Sequence, residues 1–222
     1  RDANQCSVTA SVVVTEPAQL NFVSATIQDV RCFNESTGRI TLVNNGGTTP
    51  YTYTWAPGVT STTATASNLA AGTYTVTVRD AYFCTATATY NVTQPATGLA
   101  FAPSVVNNPS CFGYSDGSAT VNAAGGAGSV SYLWTPSGQT TATATNLSAQ
   151  TYTVVATDDS ACTATTTVTP ANPPQLQVTG AVTDVSCFGG TDGAIDVTVT
   201  NAVPTATYQW FTGQNTQDLA AI

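Results

Sequence analysis

Three kinds of marker residue recur along this chain in one register, and that register constrains the fold more than any other feature. One set of cysteines repeats at steps of 78 and 78 residues, a second set at 79 and 76, and the tryptophans at 79 and 76. The markers are the trailing cysteines Cys6, Cys84 and Cys162, the leading cysteines Cys32, Cys111 and Cys187, and the tryptophans Trp55, Trp134 and Trp210. A step near 78 residues predicts tandem domains, because it is too long for a solenoid turn and suits a small domain with its own core.

The segment before Cys84 carries the clearest signal for secondary structure. Tyr74, Val76 and Val78 alternate with threonines, and a period of two predicts a strand with one buried and one solvated face. About six or seven short segments of this kind fall in each repeat, with a turn signal roughly every 8–12 residues. The sequence therefore predicts an all-β chain of tandem, small, immunoglobulin-like β-sandwiches of Greek-key type, each of about 78 residues.

A leucine-to-tyrosine motif at the start of that strand predicts part of the core. Residues 69–74, repeated at 147–152, resemble the tyrosine corner of Greek-key sandwiches, in which the Tyr hydroxyl bonds to upstream backbone. Aromatic residues recur at buried-phase strand positions, so we expect core packing rather than a sugar-stacking platform. The predicted core and corner residues are Leu69, Tyr74, Leu147, Tyr152, Trp55, Trp134 and Trp210.

Proline marks the predicted domain boundaries, since it cannot donate a hydrogen bond to a strand ladder. A proline follows each trailing cysteine after 11 residues, at Pro17, Pro95 and Pro173. We therefore expect the last strand of a partial repeat within residues 1–17 (at 6–15), complete repeats at 18–95 and 96–173, and the N-terminal part of a further repeat at 174–222. Because both ends fall inside repeats, we expect the chain to be a segment of a longer polypeptide.

Composition argues against several classes of function. Charged residues make up 7% of the chain, lysine, histidine and methionine do not occur, and the formal net charge is −8. The four basic residues cannot neutralise a run of phosphates, so we expect no nucleic-acid partner. The sequence contains no apolar run of the kind that inserts into a membrane. We also expect no enzyme, because the sequence offers no nucleophile with a base.

Six cysteines in register, without a histidine, indicate structural disulfides in an oxidising compartment rather than a metal site. The pairing stays open between two arrangements. One lies within repeats and bonds Cys32 to Cys84 and Cys111 to Cys162, leaving Cys6 and Cys187 to partners outside the sequence. The other crosses the boundaries and bonds Cys6 to Cys32, Cys84 to Cys111 and Cys162 to Cys187.

Strand direction offers a test of the pairing within a repeat. Four strands lie between Cys32 and Cys84, and four reversals would bring both cysteines to one pole, within the ~6 Å Cα separation that a disulfide needs. If the connection from Trp55 to Thr62 crosses between sheets without reversing, the two cysteines would instead lie roughly 20–25 Å apart. We favour the pairing within a repeat.

Two recurring carboxylates are candidate calcium ligands. Asp116 and Asp192 each precede a glycine after a leading cysteine, and Ca²⁺ prefers several oxygens from hard ligands. Each turn offers one carboxylate, so we favour a role in capping local N–H groups and expect no cofactor. The adjacent Asp158 and Asp159 are expected to form a solvated turn rather than an acid–base pair.

Taken together, the motifs resemble the SprB-repeat family of very large cell-surface adhesins of gliding Bacteroidetes. The shared pattern is C-F-G-x-x-D-G, then G-G, Y-x-W, L-x-A-G-T-Y-T-V-x-V-x-D, C-T-A-T-x-T and a strand that ends in proline. Residues 111–117 and 187–193 fit the first element, whereas residues 32–38 and Gln150 depart from the pattern. The resemblance implies export to the cell surface by the type IX secretion route, a role in adhesion or gliding motility, and no catalytic residues.

Glycan attachment is a further prediction. Asn34, Asn91 and Asn146 begin N-x-S/T sequons. Residues 159–161 resemble the D-S/T-A motif for O-glycosylation in Bacteroidetes, which makes Ser160 a candidate.

These observations predict a non-catalytic stalk or fibre segment of a large, exported cell-surface adhesin. Its expected partners are neighbouring repeats of the same long chain, identical chains in a fibre, and surface glycans. One alternative is a subunit that assembles laterally into an extracellular filament or sheath, since uncharged Thr-rich faces repel each other little. A second alternative is a polysaccharide-binding module.

Overall fold

A computed structural model of the chain describes residues 1–203 and 205–220. Within these ranges the structure has strands and turns and no helix, which confirms the all-β prediction. The strands are β1 (Asn21–Gln28), β2 (Gly38–Asn45), β3 (Thr52–Ala56), β4 (Thr65–Leu69), β5 (Gly72–Arg79), β6 (Thr85–Val92), β7 (Ala100–Phe101), β8 (Val105–Asn107), β9 (Gly117–Thr120), β10 (Ala123–Ala124), β11 (Val130–Thr135), β12 (Thr143–Leu147), β13 (Tyr152–Asp158), β14 (Thr163–Val168), β15 (Gln177–Thr183), β16 (Ala194–Thr200) and β17 (Leu219–Ala220).

The strands fall into two compact units. The first contains residues 1–100 together with the segments 125–129 and 157–162, and the second contains the remaining described residues. The predicted boundaries after Pro17, Pro95 and Pro173 stay predictions. The described part of the chain contains no helix that is long and apolar enough to cross a membrane.

The first complete repeat consists of two three-stranded sheets with one core between them. The sheet orders are β1-β2-β4 and β3-β5-β6, and all four pairings are antiparallel. Alternate side chains of both sheets point inward, as the period of two requires. The buried core residues are Leu20, Val30, Ile40, Leu42, Tyr53, Trp55, Ala66, Leu69, Tyr74, Val76, Val78 and Val92. This arrangement is a small β-sandwich, while its closer likeness to an immunoglobulin domain stays a prediction.

Strands β3 and β4 run in the same direction, and this sets the positions of the cysteines. Gly38 at the start of β2 pairs with Leu69 at the end of β4, and β5 begins three residues later at the same pole. Strand β3 is antiparallel to β5, with Thr52 opposite Arg79. The connection 57–64 therefore crosses between the sheets without reversing, so that the leading and trailing cysteines of one repeat lie at opposite poles.

The second complete repeat has the same plan. Its two three-stranded sheets have the orders β12-β9-β8 and β11-β13-β14. Both sheets contribute to one core, in which Ala119, Val121, Trp134, Ala144, Leu147, Tyr152, Val154 and Val168 are buried.

The two partial repeats form less structure. In the third repeat β15, β16 and β17 make one sheet. Strand β15 is exposed along its whole length, because the sequence contains no counterpart of β5 and β6 to complete a second sheet. Pro204, Ala221 and Ile222 of this repeat lie outside the described residues. The predicted strand at residues 6–15 is wrong for this chain, since residues 5–20 contain no strand. The equivalent strand β6 pairs with β5, and residues 1–17 have no strand of that kind beside them.

Candidate functional site

Each trailing cysteine ends a turn that an aspartate holds together. Asp80 Oδ1 accepts hydrogen bonds from the backbone N–H groups of Tyr82 and Cys84, both at 2.9 Å. Its Oδ2 accepts another from Thr48 N at 2.9 Å, in the loop between β2 and β3. Asp80 and the loop after β2 therefore lie together at the trailing pole, the end of the repeat that carries the trailing cysteine.

The second repeat builds its trailing pole in the same way. Asp158 accepts from Ser160 N at 2.9 Å, from Cys162 N at 2.8 Å and from Ala127 N at 2.8 Å. The neighbouring Asp159 accepts from Ser129 N at 2.8 Å, so both carboxylates of the adjacent pair are engaged in holding loops. Asp158 is buried whereas Asp159 is exposed, so the predicted solvated turn is wrong for Asp158.

Hydrogen bonding to the ionised form controls the electrostatics of these aspartates. The N–H of Thr48 is the main cause of the lowered pKa of Asp80, and that of Ala127 has the same effect on the pKa of Asp158. Both carboxylates are nearly inaccessible to solvent, at 6% and 4% exposure. Sequence reasoning missed this role, although an aspartate four residues before every trailing cysteine was a visible signal.

The leading cysteines lie in a tight turn that recurs three times. The carbonyl of Cys32 accepts from Glu35 N at 3.1 Å, that of Cys111 from Tyr114 N at 3.1 Å, and that of Cys187 from Gly190 N at 2.8 Å. A side chain of the repeat also binds the turn. In the second and third repeats these are the candidate calcium ligands, where Asp116 Oδ1 accepts from Ser110 N at 2.9 Å and Asp192 Oδ1 from Ser186 N at 3.0 Å.

The first repeat reaches the same geometry with a different residue. Thr37 stands where the other repeats have aspartate, and its hydroxyl accepts from Arg31 N at 2.9 Å. A neutral hydroxyl replaces a carboxylate without loss of the turn, which fits a capping role for this position. Among the described residues no group of three or more His, Cys, Asp or Glu side chains is placed to hold a metal ion. The expectation that no cofactor is bound stays a prediction.

The leading turn is tied to the linker that leaves its own repeat. Asn34 N donates to Gln94 Oε1 at 2.9 Å, and the equivalent Gly113 N donates to Asn172 Oδ1 at 3.2 Å. In the first repeat Val30 N also donates to Thr93 O at 2.9 Å. The leading pole, the end that carries the leading cysteine, is therefore also the end from which the chain leaves the repeat.

A disulfide joins the leading pole of one complete repeat to the trailing pole of the next. It bonds Cys32 to Cys162, with a Cα separation of 5.7 Å and a sequence separation of 130 residues. Cys6, Cys84, Cys111 and Cys187 are exposed free thiols.

This bond corrects the favoured pairing within a repeat, because Cys32 is not bonded to Cys84 and Cys162 is not bonded to Cys111. The cause is the crossing connection 57–64, which leaves Cys32 and Cys84 separated by roughly 25 Å, the length of the eight-residue β5. The pairing across boundaries is wrong as well, since Cys187 is free.

The tryptophans are held by the core rather than displayed on a surface. Trp55 and Trp134 are buried, and their ring N–H groups donate to Thr63 O at 3.0 Å and to Thr141 O at 2.8 Å. Trp210 makes the equivalent bond, to Thr216 O at 2.7 Å, but is only half-buried. Two of the three rings are thus unavailable for stacking on a sugar.

Both corner tyrosines bond back to upstream backbone. Tyr74 donates its hydroxyl to Ala70 O at 3.0 Å. The hydroxyl of Tyr152 accepts from Ser148 N at 3.1 Å and from the Gln150 amide at 3.0 Å. Leu69 and Leu147 are buried beside them. The departure at Gln150 therefore adds a hydrogen bond to the corner.

The candidate glycosylation sites differ in accessibility. Asn34, Asn91 and Asn146 are exposed, whereas Ser160 is half-buried in the turn that precedes Cys162. Modification of these residues stays a prediction.

Comparison with known families identifies the repeat. The family model described as SprB repeat matches three segments, residues 24–60, 104–139 and 179–215. This chain carries SprB repeats. Each match contains a leading cysteine and a tryptophan, and the first two stop before the trailing cysteines Cys84 and Cys162. No curated protein matches the chain.

The family match also carries a coarse functional statement. SprB repeats are structural repeats found in surface proteins, and the chain is a repeat segment of that adhesin-like kind. The disulfide between two SprB repeats fits an oxidising, extracellular environment.

Proposed function

We propose that this chain is a non-catalytic, mechanical segment of an exported cell-surface adhesin. The observation that carries the proposal is the bond between Cys32 and Cys162, which joins one SprB repeat to the next. Such a bond suits a stalk, because tension along the chain acts first on the links between domains.

The bond changes the path that tension follows. A force applied to the two ends of the chain passes from Cys32 to Cys162 through the sulfur atoms, and the 130 residues of sequence separation do not extend. Tension then reaches the two cores only through β1 and β14, which lie outside the loop, while the strands between the two cysteines are shielded from it. Repetition of such repeats extends the reach of the protein from the cell surface.

The solvated strand faces suit this passive role. Threonine pairs line the outer face of β5 and β6, with hydroxyl–hydroxyl contacts between Thr75 and Thr89 at 3.3 Å and between Thr77 and Thr87 at 3.1 Å. A coat of mutually bonded hydroxyls keeps the surface soluble with few charges. It also offers little to a specific ligand, in keeping with a spacer.

Export by the type IX route and a part in gliding motility belong to the same proposal, and they rest on the SprB family match. Antibodies against the chain should label intact cells that produce the protein. Labelling that needs permeabilised cells would contradict a surface location.

Single-molecule force spectroscopy tests the mechanical role. With the bond intact, unfolding of the 222-residue chain should release only residues outside the 130-residue loop, and adding a reductant should release roughly 450 Å more contour length. The Cys162→Ser variant should give the long extension without reductant. Cys84→Ser, which removes a free thiol, should behave as the unaltered chain.

Full extension of the unaltered chain without reductant would contradict the proposal. It would mean that the bond between repeats does not form or does not resist force.

A further inference from the structure

The trailing pole of the first repeat has the same construction as that of the second, but its cysteine has no partner. In both poles an aspartate binds its cysteine N–H, at 2.9 Å for Cys84 and 2.8 Å for Cys162. The residue before the cysteine has a positive φ in both, 68° at Phe83 and 61° at Ala161. The two thiols are therefore presented by the same backbone.

The occupied pole shows what fits against such a thiol. One cavity lies between the leading end of the first repeat and the trailing pole of the second. The first repeat lines it with residues 28–31 and the linker residues 93–95, and the second repeat lines it with Gly126, Ala127 and Ser160. Cys32 reaches the thiol of Cys162 from the turn that follows Arg31. The occupant is a leading turn together with the start of its linker.

The open pole has the linker but no leading turn. A cavity of about 630 Å³ at Cys84 is lined by residues 16–20 of the linker and by Gly47, Asp80 and Tyr82. Tyr82 and Phe83 are 72% and 68% exposed at its edge, and the Arg79 guanidinium lies 3.9 Å from the centre of the Phe83 ring. Tyr82 and Phe83 stand where the occupied pole has Ser160 and Ala161, and they add exposed apolar surface beside the Cys84 thiol.

We propose that the Cys84 pole is a docking site for the leading turn of another SprB repeat, and that a disulfide seals it. The general rule is that the leading cysteine of each repeat bonds the trailing cysteine of the repeat that follows it. The partner is thus a second copy of this repeat, recognised by a Cys-Phe turn rather than by charge.

A second junction supports the same rule. The leading turn of the second repeat lines a cavity with residues of the third, where Cys111 and Phe112 face Asn201, Ala202 and Thr205. This loop follows β16 as the loop of Thr48 follows β2 and that of Ala127 follows β10, so it belongs to a trailing pole. Cys111 is therefore placed where the rule needs it, beside the pole that would carry the next trailing cysteine.

The rule has a mechanical consequence for any longer array. Bonds that each span 130 residues, starting again every 78 or so, overlap along the chain. Between the trailing cysteine of one bond and the leading cysteine of the next, only about 25 residues of chain carry the tension, as between Cys162 and Cys187. Nearly the whole array would then be held against extension.

The chemistry needs a disulfide oxidant. Two thiols lose two protons and two electrons as the sulfur–sulfur bond forms. One oxidised glutathione accepts them and leaves as two reduced glutathione molecules, by way of a mixed disulfide.

Controlled oxidation of the purified 222-residue chain tests the rule. In a glutathione redox buffer, Cys84 should form bonds between molecules with Cys187 or Cys111, identified by peptide mapping after non-reducing electrophoresis. Two leading and two trailing thiols are free, so random collision would bond Cys84 to a leading cysteine in about half of its disulfides. For Cys84 we expect at least a tenfold excess of leading over trailing partners.

The chain contains its own control. Cys6 has the capping aspartate, with Asp2 Oδ1 at 2.9 Å from Cys6 N, but no counterpart of the loop that carries Gly47. Its bonds should show no preference. The Cys84→Ser variant should lose the preferred dimers and keep the bond between Cys32 and Cys162. Bonds of Cys84 at random frequency, or glutathione adducts without dimers, would overturn the proposal.

Discussion

The two complete repeats place a trailing cysteine on the same turn, but only the second bonds it to a neighbour. Asp80 and Asp158 make equivalent hydrogen bonds to their turns. Cys162 is bonded and Cys84 is free. The two residues before the cysteine differ, Tyr82-Phe83 against Ser160-Ala161. The surroundings differ as well, since the leading turn of a preceding repeat lies against Cys162. Local sequence thus prepares the thiol, and a neighbouring repeat decides whether it bonds.

The comparison extends to the leading turns. Thr37 in the first repeat and Asp116 in the second hold the same turn through the same backbone N–H position. The family pattern names aspartate there, but the geometry requires only an acceptor of about the right length. The repeats therefore preserve a hydrogen bond rather than a residue, and matched substitutions in the two repeats can separate the shared features from the individual ones.

The largest expected effect concerns the cysteines. Cys162→Ser should lower the free energy of unfolding by up to about 5 kcal/mol, because it opens a loop of 130 residues in the denatured chain. Cys84→Ser should change it by less than about 0.5 kcal/mol, since that thiol is exposed and free. Chemical denaturation of both variants makes the measurement. Equal losses of unfolding free energy in the two variants would show that Cys162 stabilises the fold no more than the free Cys84 does.

The tryptophans should give the next largest effect. Trp134→Ala and Trp55→Ala should each cost about 3–5 kcal/mol, because a buried ring leaves a cavity between two sheets. Trp210→Ala should cost about 1 kcal/mol, since a half-buried ring loses fewer contacts. Thermal unfolding of the three variants tests this order. A cost at Trp210 as large as at Trp134 would mean that the third repeat has a complete core.

The corner tyrosines should differ by a smaller amount. Tyr74→Phe removes one hydrogen bond, to Ala70 O, and should cost about 1 kcal/mol. Tyr152→Phe should cost about 1–3 kcal/mol, because it leaves the Ser148 N–H and the Gln150 amide without their acceptor. The difference can be measured by denaturant titration. If the difference between the two tyrosine variants disappears in a Gln150→Gly background, the side-chain amide of Gln150 is its cause.

The mildest effect is a dependence on pH that both repeats share. The pKa values of Asp80 and Asp158 are lowered in the folded state. Their contribution to stability is therefore complete above the unfolded pKa of about 3.9 and is lost as the pH falls through the folded values. Melting temperatures should be constant above about pH 5 and fall below about pH 4.

The matched variants for the pH effect are Asp80→Asn and Asp158→Asn. Each should reduce the slope of the acid limb, because one fewer carboxylate takes up a proton on unfolding. A slope unchanged in both variants would show that other carboxylates control acid unfolding.

Much of the fold was predictable because it depends on local patterns. The alternation of Tyr74, Val76 and Val78 with threonines indicated a strand, and these residues lie buried in β5. The disulfide was not predictable in the same way, since it depends on a strand direction. No residue in the connection 57–64 indicates whether the chain reverses direction there. The structure contains the crossing without reversal, which was the less favoured of the two predicted arrangements.

By itself, the sequence determined the repeat length, the all-β class and the two kinds of cysteine, because each follows from spacing and periodicity along the chain. Only the tertiary structure decided that Cys32 bonds Cys162 and that Asp80 and Asp158 hold the trailing poles. Those outcomes depend on which ends of separate strands meet. Strand direction and the approach of a neighbouring repeat are properties of the folded chain, so no local pattern records them.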